Sequence, residues 1–428
     1  MNSEKPKVYP RNDHCVSRAD IDTDALKIMY RLVRHGYKAY LVGGGVRDLL
    51  LGKKPKDFDI ATDATPRKIK NLFRNCRIIG RRFKLAHVYF RNQKIIEVST
   101  FRDVSATPSQ DTLEVPETIE TNAHDNTYGT PATDAHRRDL TINALFYELS
   151  TFSIIDYVGG MQDLQSKTIR IIGDPEVRFQ EDPVRMLRAV RHAARAGFEI
   201  EKQSYKAITQ HHELLTTASQ VRVYEEFKRD LSGGAALPTL RLLQQTGLLE
   251  HLLPELLLNN SALLLKDSYF STVVERMDSY LRCTKIDDPL TSILGLFAIF
   301  LVAYPSSEEQ LFEQELDREE LIDHLKSCFI KLMVPRKERE RIDDLLALWL
   351  RLRQMPIERV KKLSLERRKS IRNLEHLLHW LGSDGAEGKL LELVSQAAQV
   401  REKGGAVRTR SRPHKGKKRS PSKRGRSS

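Results

Sequence analysis

The chain has 428 residues and a formal net charge of +14, and these values limit what it can be. The length predicts two to four domains. The longest apolar run, residues 293–304, has 12 residues and is too short to span a bilayer, so we expect a buried helix and no integral membrane association. The beginning of the sequence has no apolar core like that of a signal peptide, which favours a cytoplasmic protein. The cysteines lack CxxC spacing and predict neither zinc nor disulfides: Cys15, Cys76, Cys283 and Cys328.

The first predicted elements follow a polar leader at residues 1–24. Residues 38–42, KAYLV, are typical of a short strand. Three glycines then allow a tight turn, and residues 46–51 predict a helix that ends at Gly52. A strand, a glycine turn and a helix N-terminus together suit an anionic ligand such as a phosphate. An ordinary turn is an equally open alternative.

Two carboxylates follow this turn. Asp57 and Asp59 flank Phe58, and residues 58–61 predict a second strand. Positions i and i+2 of a strand point to the same face, so the two carboxylates should lie side by side. Like charges repel, and a divalent cation would relieve that repulsion. A solvated edge strand is the alternative for an isolated pair of this kind.

Two further acids could complete a metal site. Glu97 lies in the middle of the predicted strand 95–101, and Asp139 follows two arginines, Arg137 and Arg138. The alternatives are an outward-facing strand residue for Glu97 and a cap or salt bridge for Asp139. His87 is expected to be a strand residue satisfied by a backbone carbonyl.

The middle of the chain changes character. Residues 103–135 are polar and acidic and predict a mobile loop, and two short extended pieces follow at 157–160 and 168–172. Asp182 and Pro183 then predict the N-cap and first residue of a helix. Arg185, Arg188 and Arg191 recur every three residues along it, so neighbouring members share a face. That face could contact a nucleobase, or its arginines could form only salt bridges.

The rest of the chain predicts helices to about residue 400 and then a disordered basic tail. Residues 401–428 carry 12 Lys or Arg and one Glu, so the chain before them has a net charge of only +3. Such a tail can bind RNA phosphates without sequence preference; solubility or attraction to acidic lipids are the alternatives. The expected RNA-binding residues are Arg408, Arg410, Arg412, Lys415, Lys417, Lys418 and Arg419.

Four motifs in this order resemble the class II nucleotidyltransferases, the family of tRNA CCA-adding enzymes and bacterial poly(A) polymerases: GGGVRDLLLG, KDFDI, RRDLTINALFY and EDPVRMLRAVR. The resemblance covers roughly residues 30–235. It implies an α+β fold, with a nucleotidyltransferase head of mixed sheet and helices, an all-α C-terminal half and the basic tail. The expected domains are a head at 25–155, a neck at 156–240 and a helical body and arm at 241–400.

The resemblance also implies roles for single residues. Asp57, Asp59 and Asp139 would be catalytic, and Asp57, Asp59 and Glu97 would hold two Mg²⁺ ions, with Mn²⁺ as an alternative. The nucleotide would be bound by Gly43, Gly44, Arg47, Arg137, Arg138, Asp182, Arg185 and Arg188.

One stretch distinguishes the branches of this family. Residues 80–90, GRRFKLAHVYF, are similar to a segment that marks poly(A) polymerases. We therefore expect an enzyme that adds AMP from ATP to RNA 3′ ends, acting as a monomer, with RNA-decay factors as further candidate partners. A CCA-adding enzyme and a non-catalytic RNA-binding protein stay open as alternatives.

Overall fold

The computed structural model describes most of the chain. It covers residues 5–80, 84–103, 128–254, 256, 264, 268–284, 291–304, 318–360, 370–382 and 388–398. The predicted basic tail lies outside these residues, as do residues 81–83 of the segment that distinguishes the two branches. The four cysteines are described, and all are free thiols.

The chain divides into two compact units. The first comprises Met1–Asp230 with Pro238–Pro254, and the second comprises Leu231–Leu237 with Glu255–Ser428. The sheet of the first unit and the helices of the second confirm the predicted α+β class. The four predicted domain boundaries stay predictions.

An eight-stranded mixed sheet is the centre of the first unit, with the strand order β1-β8-β7-β2-β3-β6-β5-β4. All neighbours in it are antiparallel except β3 and β6. A separate parallel pair is formed by β9 and β10. The strands are β1 Lys7–Tyr9, β2 Ala39–Val42, β3 Asp59–Thr62, β4 Cys76–Ile79, β5 Leu85–Tyr89, β6 Ile95–Thr100, β7 Leu145–Glu148, β8 Ser153–Asp156, β9 Thr168–Ile169 and β10 Glu199–Ile200.

Short helices surround this sheet, and longer ones follow it. Helix α1 shows why they form: Asp22 caps it by accepting from Asp24 N, and one face buries Ile28, Met29 and Leu32. The helices are α1 Thr23–Arg34, α2 Gly44–Leu50, α3 Pro66–Leu72, α4 Pro131–His136, α5 Gly160–Gln165, α6 Pro175–Glu181, α7 Val184–Ala196, α8 Lys202–His211, α9 Gln220–Leu231, α10 Ala236–Gln245 and α11 Leu248–Leu252.

The second unit is helical in its described part. Its helices are α12 Tyr269–Cys283, α13 Thr291–Ala303, α14 Arg318–Lys331, α15 Arg336–Arg353, α16 Ile357–Val360, α17 Ile371–Leu381 and α18 at residues 388–398. Helix α13 contacts α12, α14, α15 and α17. Every side chain from Ile293 to Ala303 is buried, which confirms the predicted buried helix. Within the described residues, no helix is long and apolar enough to cross a membrane.

Two sequence predictions about irregular segments need correction. The polar leader contributes β1 to the sheet, where Lys7 lies opposite Asp156. The predicted loop at 103–135 is wrong at its C-terminal end, where Thr130 and Thr133 form a capping box for α4. That box satisfies backbone N–H groups at the start of a helix that begins with Pro131. Residues 104–127 lie outside the described part of the chain.

The turn after β8 depends on one buried carboxylate. Asp156 accepts hydrogen bonds from the backbone N–H groups of Val158, Gly159, Gly160 and Met161 at 2.9–3.0 Å. Helix α5 therefore begins at Gly160, where the sequence had predicted an extended piece. A Cβ at Gly160 would lie 2.3 Å from the carbonyl oxygen of Thr141, so only glycine allows this close approach.

We expect Asp156→Ala to lower the free energy of unfolding by about 3 kcal/mol, because four backbone N–H groups, of which those of Gly160 and Met161 are buried, lose their acceptor. Urea unfolding followed by circular dichroism measures the change. Asp156→Asn keeps one acceptor oxygen and should lose less, and Asp13→Ala is the exposed control. Equal stability of Asp156→Ala and the Asp13→Ala control would contradict this role of the carboxylate.

Candidate active site

The glycine turn lies between a buried strand and a short helix. Gly43 has φ 73° and ψ −146°, a conformation that glycine adopts without strain, and α2 begins at the next residue. The helix thus starts two residues earlier than predicted. A Cβ at Gly45 would lie 3.2 Å from the carbonyl oxygen of Asp57, so the turn packs directly on the segment that carries the carboxylate pair.

The predicted carboxylates meet beside this turn. Asp59 begins β3 and lies opposite Val42, and Asp57 precedes the strand. Strands β3 and β6 run parallel with Ile60 opposite Val98, which places Glu97 next to Asp59. Burial, and then the charges of Glu97 and Asp57, raise the pKa of Asp59 to about 6, while Arg138 acts in the opposite direction.

Glu97, like Asp57, is exposed to solvent. Its side chain is 48% exposed, and its Oε1 lies 3.4 Å from Nε2 of His87 on the neighbouring strand. The expected backbone partner of His87 is therefore wrong, since the imidazole lies beside a carboxylate. An exposed glutamate near Asp59 is placed to share a bound cation.

The acids fit a metal ion that is held jointly with an anionic ligand. No three His, Cys, Asp or Glu side chains in the described part of the chain could hold an ion by themselves. Mg²⁺ takes one or two carboxylates together with substrate phosphates and water, so two neighbouring aspartates suffice for it. Burial raises the pKa of Asp59 most, and repulsion by Glu97 and Asp57 raises it further; a bound cation would relieve that repulsion.

Arginines line the other side of the glycine turn. A Cβ at Gly43 would lie 3.6 Å from both Nη1 of Arg138 and Oδ2 of Asp59. A carboxylate and a guanidinium thus meet over one glycine. Arg137 and Arg138 are both bound by Asp134, which is fully buried, at 2.8–2.9 Å. Burial alone would raise the pKa of Asp134, but Arg138 and Arg137 lower it more, so the net pKa is below its usual range.

Arg47 extends from α2 toward helix α7. Its guanidinium donates to Asp48 at 2.7 Å, to Oδ1 of Asn143 at 2.8 Å and to Nδ1 of His192 at 3.3 Å. Burial, and then the charge of Arg47, lower the pKa of His192 well below its usual value. A neutral imidazole can accept from Arg47 without charge repulsion, so His192 joins Asp48 and Asn143 in orienting this guanidinium.

Asp139 pairs with arginines of α7. Its two oxygens accept from Nε of Arg185 at 2.8 Å and from Nη1 of Arg188 at 2.5 Å. Burial raises the pKa of Asp139, but Arg188 and Arg185 outweigh that effect and lower it. Arg188 also donates to buried Glu226, which holds Arg191 as well. Neighbouring arginines therefore share a face of α7, as predicted, and carboxylates pair with them there.

The start of α7 differs slightly from the prediction. The helix begins at Val184, and Pro183 occupies the cap position. Asp182 still accepts from the N–H of Val184 at 3.3 Å, and its other oxygen pairs with Arg222 at 2.7 Å. Its carboxylate therefore lies near the arginine face. Asp182 itself precedes the N-cap residue by one position.

Sequence reasoning missed four residues that organise this site: Asp134, Asn143, His192 and Glu226. Asn143 lies in the motif RRDLTIN, and its place in that motif marks it as a candidate site residue. Asp134 lies three and four residues before the paired arginines, the spacing of helical salt bridges. The contacts of His192 and Glu226 join distant parts of the chain, and no local pattern predicts them. The roles of the predicted site residues stay predictions.

Comparisons with known proteins agree with this fold. A model described as the poly A polymerase head domain matches residues 39–170. A second, described as the probable RNA and SrmB-binding site of polymerase A, matches residues 197–258. The CCA-adding enzyme of Bacillus stearothermophilus, solved with CTP, has a TM-score of 0.60 at 26% identity, over 88% of this chain and 82% of that one. The fold and the site define a class II nucleotidyltransferase.

Relatives with known names place the chain more narrowly. Poly(A) polymerase I of Haemophilus influenzae is 39% identical over 323 residues, which are 72% of this chain and 68% of that protein. The chain belongs to the poly(A) polymerase I family. The Salmonella typhi relative is 49% identical over 248 residues, and the match spans about half of its length, 53%. A CCA-adding enzyme of Bacillus pumilus is 37% identical over 232 residues, 54% of this chain and 55% of that enzyme.

We expect Asp134→Asn to destabilise the protein by about 3 kcal/mol at pH 7, because it leaves two partly buried arginines without their carboxylate. The folded pKa of Asp134 is lowered, so its contribution is present above the unfolded pKa of about 4 and is lost as the pH falls through the folded value. The stability difference between the parent and the variant should therefore shrink in acid. Urea unfolding at pH 7 and pH 3 measures it.

Asp20→Asn, an exposed substitution, is the control and should match the parent at both pH values. A difference between the parent and Asp134→Asn that stays constant over this pH range would show that the ion pairs do not stabilise the fold.

Proposed function

We propose that the chain is a template-independent polynucleotide adenylyltransferase, which adds AMP from ATP to RNA 3′ ends. The observation that carries this proposal is the meeting of Asp59 and Arg138 over Gly43, each 3.6 Å from the position of a Cβ. This arrangement offers a carboxylate for a metal ion and a guanidinium for a phosphate within one small volume. The similarity to poly(A) polymerase I enzymes supports the addition of AMP alone and not of the CCA triplet.

The reaction joins the RNA 3′-oxygen to the α-phosphate of ATP and releases pyrophosphate. Divalent ions, Mg²⁺ or Mn²⁺, would be held by Asp57, Asp59 and Glu97; when bound, they activate the hydroxyl and neutralise the leaving charge. Little covalent work remains for the protein, so its residues act by positioning and electrostatics.

The nucleotide would lie between the glycine turn and α7. Gly43 and Gly44 let the backbone approach the triphosphate, and Arg47 and Arg138 supply positive charge. Arg137, held by the same aspartate as Arg138, would add to that charge near the ribose and phosphates. These cations are already oriented by the protein, so binding needs little reorganisation.

The base would be selected by α7. Arg188 is 29% exposed and Asp182 is 17% exposed, so both can reach a base edge. Arg185 is only 9% exposed and donates to Asp139 and Glu181, so its role would be to position Asp139. A carboxylate and a guanidinium offer an acceptor and donors, which is what a nucleobase edge requires.

RNA would reach the site along basic surfaces. The description of the model that matches residues 197–258 names RNA and SrmB, which supports RNA and a protein partner as ligands there. The proposed tail residues, Arg408 to Arg419, would bind phosphates without sequence preference. A monomer in the cytoplasm and contacts with RNA-decay factors belong to the same proposal.

Primer extension tests the proposed activity. The protein is incubated with Mg²⁺ and a labelled generic RNA, with each nucleoside triphosphate supplied singly, and in parallel with a tRNA that ends before its CCA. Long products with ATP alone are expected. Growth by the terminal triplet on tRNA only would identify a CCA-adding enzyme instead.

Asp57→Asn combined with Asp59→Asn should lower the extension rate by at least about a thousandfold, since the metal ions lose their protein ligands. RNA binding, measured by fluorescence anisotropy, should remain. Asp20→Asn keeps full activity as the matched control. Extension that survives in the double variant would contradict the assigned metal ligands.

Asp139→Asn should behave differently from that double variant. Its carboxylate orients Arg185 and Arg188, so we expect a loss of about tenfold to a hundredfold in kcat/KM for ATP and weaker discrimination against CTP. Steady-state extension with each nucleotide measures both. A loss as large as that of the double variant, with unchanged base preference, would place Asp139 among the metal ligands instead.

A further inference from the structure

A cavity of about 600 Å³ lies on the first unit, outside the residues assigned to the active site. One wall is helix α1, and the others come from the segment after α3 and the end of β5. Its volume is within the range of ligand pockets. The residues that matter for its chemistry are Lys27, Tyr30, Arg31, Arg34, Phe73 and Phe90.

The cavity is basic because of the spacing of residues on α1. Lys27, Arg31 and Arg34 are separated by four and three residues, so they lie on one side of the helix, opposite its buried face. Lys27 pairs with Asp24 at 2.8 Å, and Asp24 also pairs with Lys94, so the positive charge at this end is partly neutralised. Arg31 and Arg34 are exposed cations further along the helix.

The segment beside the cavity adds more positive charge. Residues 66–80 include Arg67, Lys68, Lys70, Arg74 and Arg77 and contain no acidic residue. The part of this segment that lines the cavity includes Phe73. The segment that contributes Phe73 and Asn75 to the wall is therefore strongly basic, although the cations that line the cavity itself belong to α1.

Aromatic rings accompany the cations. The guanidinium of Arg31 lies 5.2 Å from the ring centre of Phe73, and the ring of Tyr30 is 37% exposed. The hydroxyl of Tyr30 accepts from Arg18 at 2.9 Å, which holds the ring in place. Phe90 is partly buried in the wall. Phe73 is 6% exposed and is covered by Arg31, so Tyr30 and Phe90 are the rings that a ligand in the cavity could contact.

We propose that this cavity binds single-stranded RNA, with a base against the aromatic side chains and flanking phosphates on Arg31 and Arg34. Aromatic rings interleaved with cations are the common chemistry of single-strand binding, since every base has a face that can stack. The choice of RNA rests on the proposed function, and the site would hold a segment of the substrate away from its reacting 3′ end.

The test measures binding without catalysis. The parent is the full chain carrying Asp57→Asn and Asp59→Asn, and the probe is a labelled oligoadenylate of twenty nucleotides. Arg31→Gln with Arg34→Gln should weaken binding about tenfold at 0.1 M salt and make the slope of log affinity against log salt shallower by about 1.4, because two phosphate contacts are lost. Lys5→Gln with Lys7→Gln removes the same charge from exposed positions and should change neither quantity.

Cross-linking locates the contact. A photoreactive thionucleotide within the same oligonucleotide should label peptides that contain Tyr30, Phe73 or Phe90, and the Arg31→Gln, Arg34→Gln variant should lose that labelling. Circular dichroism verifies that this variant is folded. If it is not, the single variant Arg34→Gln replaces it in both measurements. Equal binding by both charge variants, with no cross-link at these peptides, would overturn the proposal. Cross-linking at these peptides, together with failure of the unsubstituted chain in primer extension, would reject only the adenylyltransferase.

Discussion

Two aspartates, each shared by two arginines, hold the site together. Asp134 binds Arg137 and Arg138, and Asp139 binds Arg185 and Arg188. All of these carboxylate contacts start from one stretch of six residues, so that stretch connects the glycine turn to helix α7. Breaking either set would leave guanidiniums in a poorly solvated place, which costs more than the pair itself contributes.

The same unit contains a carboxylate, Asp59, whose pKa is shifted in the opposite direction. The pKa of Asp134 and the pKa of Asp139 are both lowered by the arginines around them, whereas the pKa of Asp59 is raised by burial and by neighbouring acids. Carboxylates of the first kind are satisfied within the protein and stabilise it. A carboxylate of the second kind is destabilised as an anion, which is a common property of functional groups. At these three positions, the direction of the pKa shift distinguishes the two arginine-paired carboxylates from Asp59.

Local patterns predicted much of the fold and part of the site. The strand, the glycine turn and the helix around Gly43 follow from the conformational freedom of glycine and the apolar run before it. Asp57 lies near Asp59 as predicted, but it precedes β3, so the period of a strand is not the reason for their proximity. The partners of Arg47 and Arg191 could not be predicted in this way, because His192 and Glu226 reach them only through packing of distant helices. The leader strand was missed for a similar reason, since three polar-flanked residues carry little strand signal.

The position of β1 has a consequence for synthesis of the protein. Its partner β8 lies roughly 150 residues later, so the edge of the sheet stays unpaired while the ribosome makes all the intervening strands. Strand β2 likewise can pair only with β3 until β7 has been synthesised. Because β8 follows the glycine turn, the acids Asp57, Asp59 and Glu97 and Asp139 in the chain, the sheet is completed only after all of these have emerged. A nascent chain would therefore complete this sheet only after β8 has been synthesised.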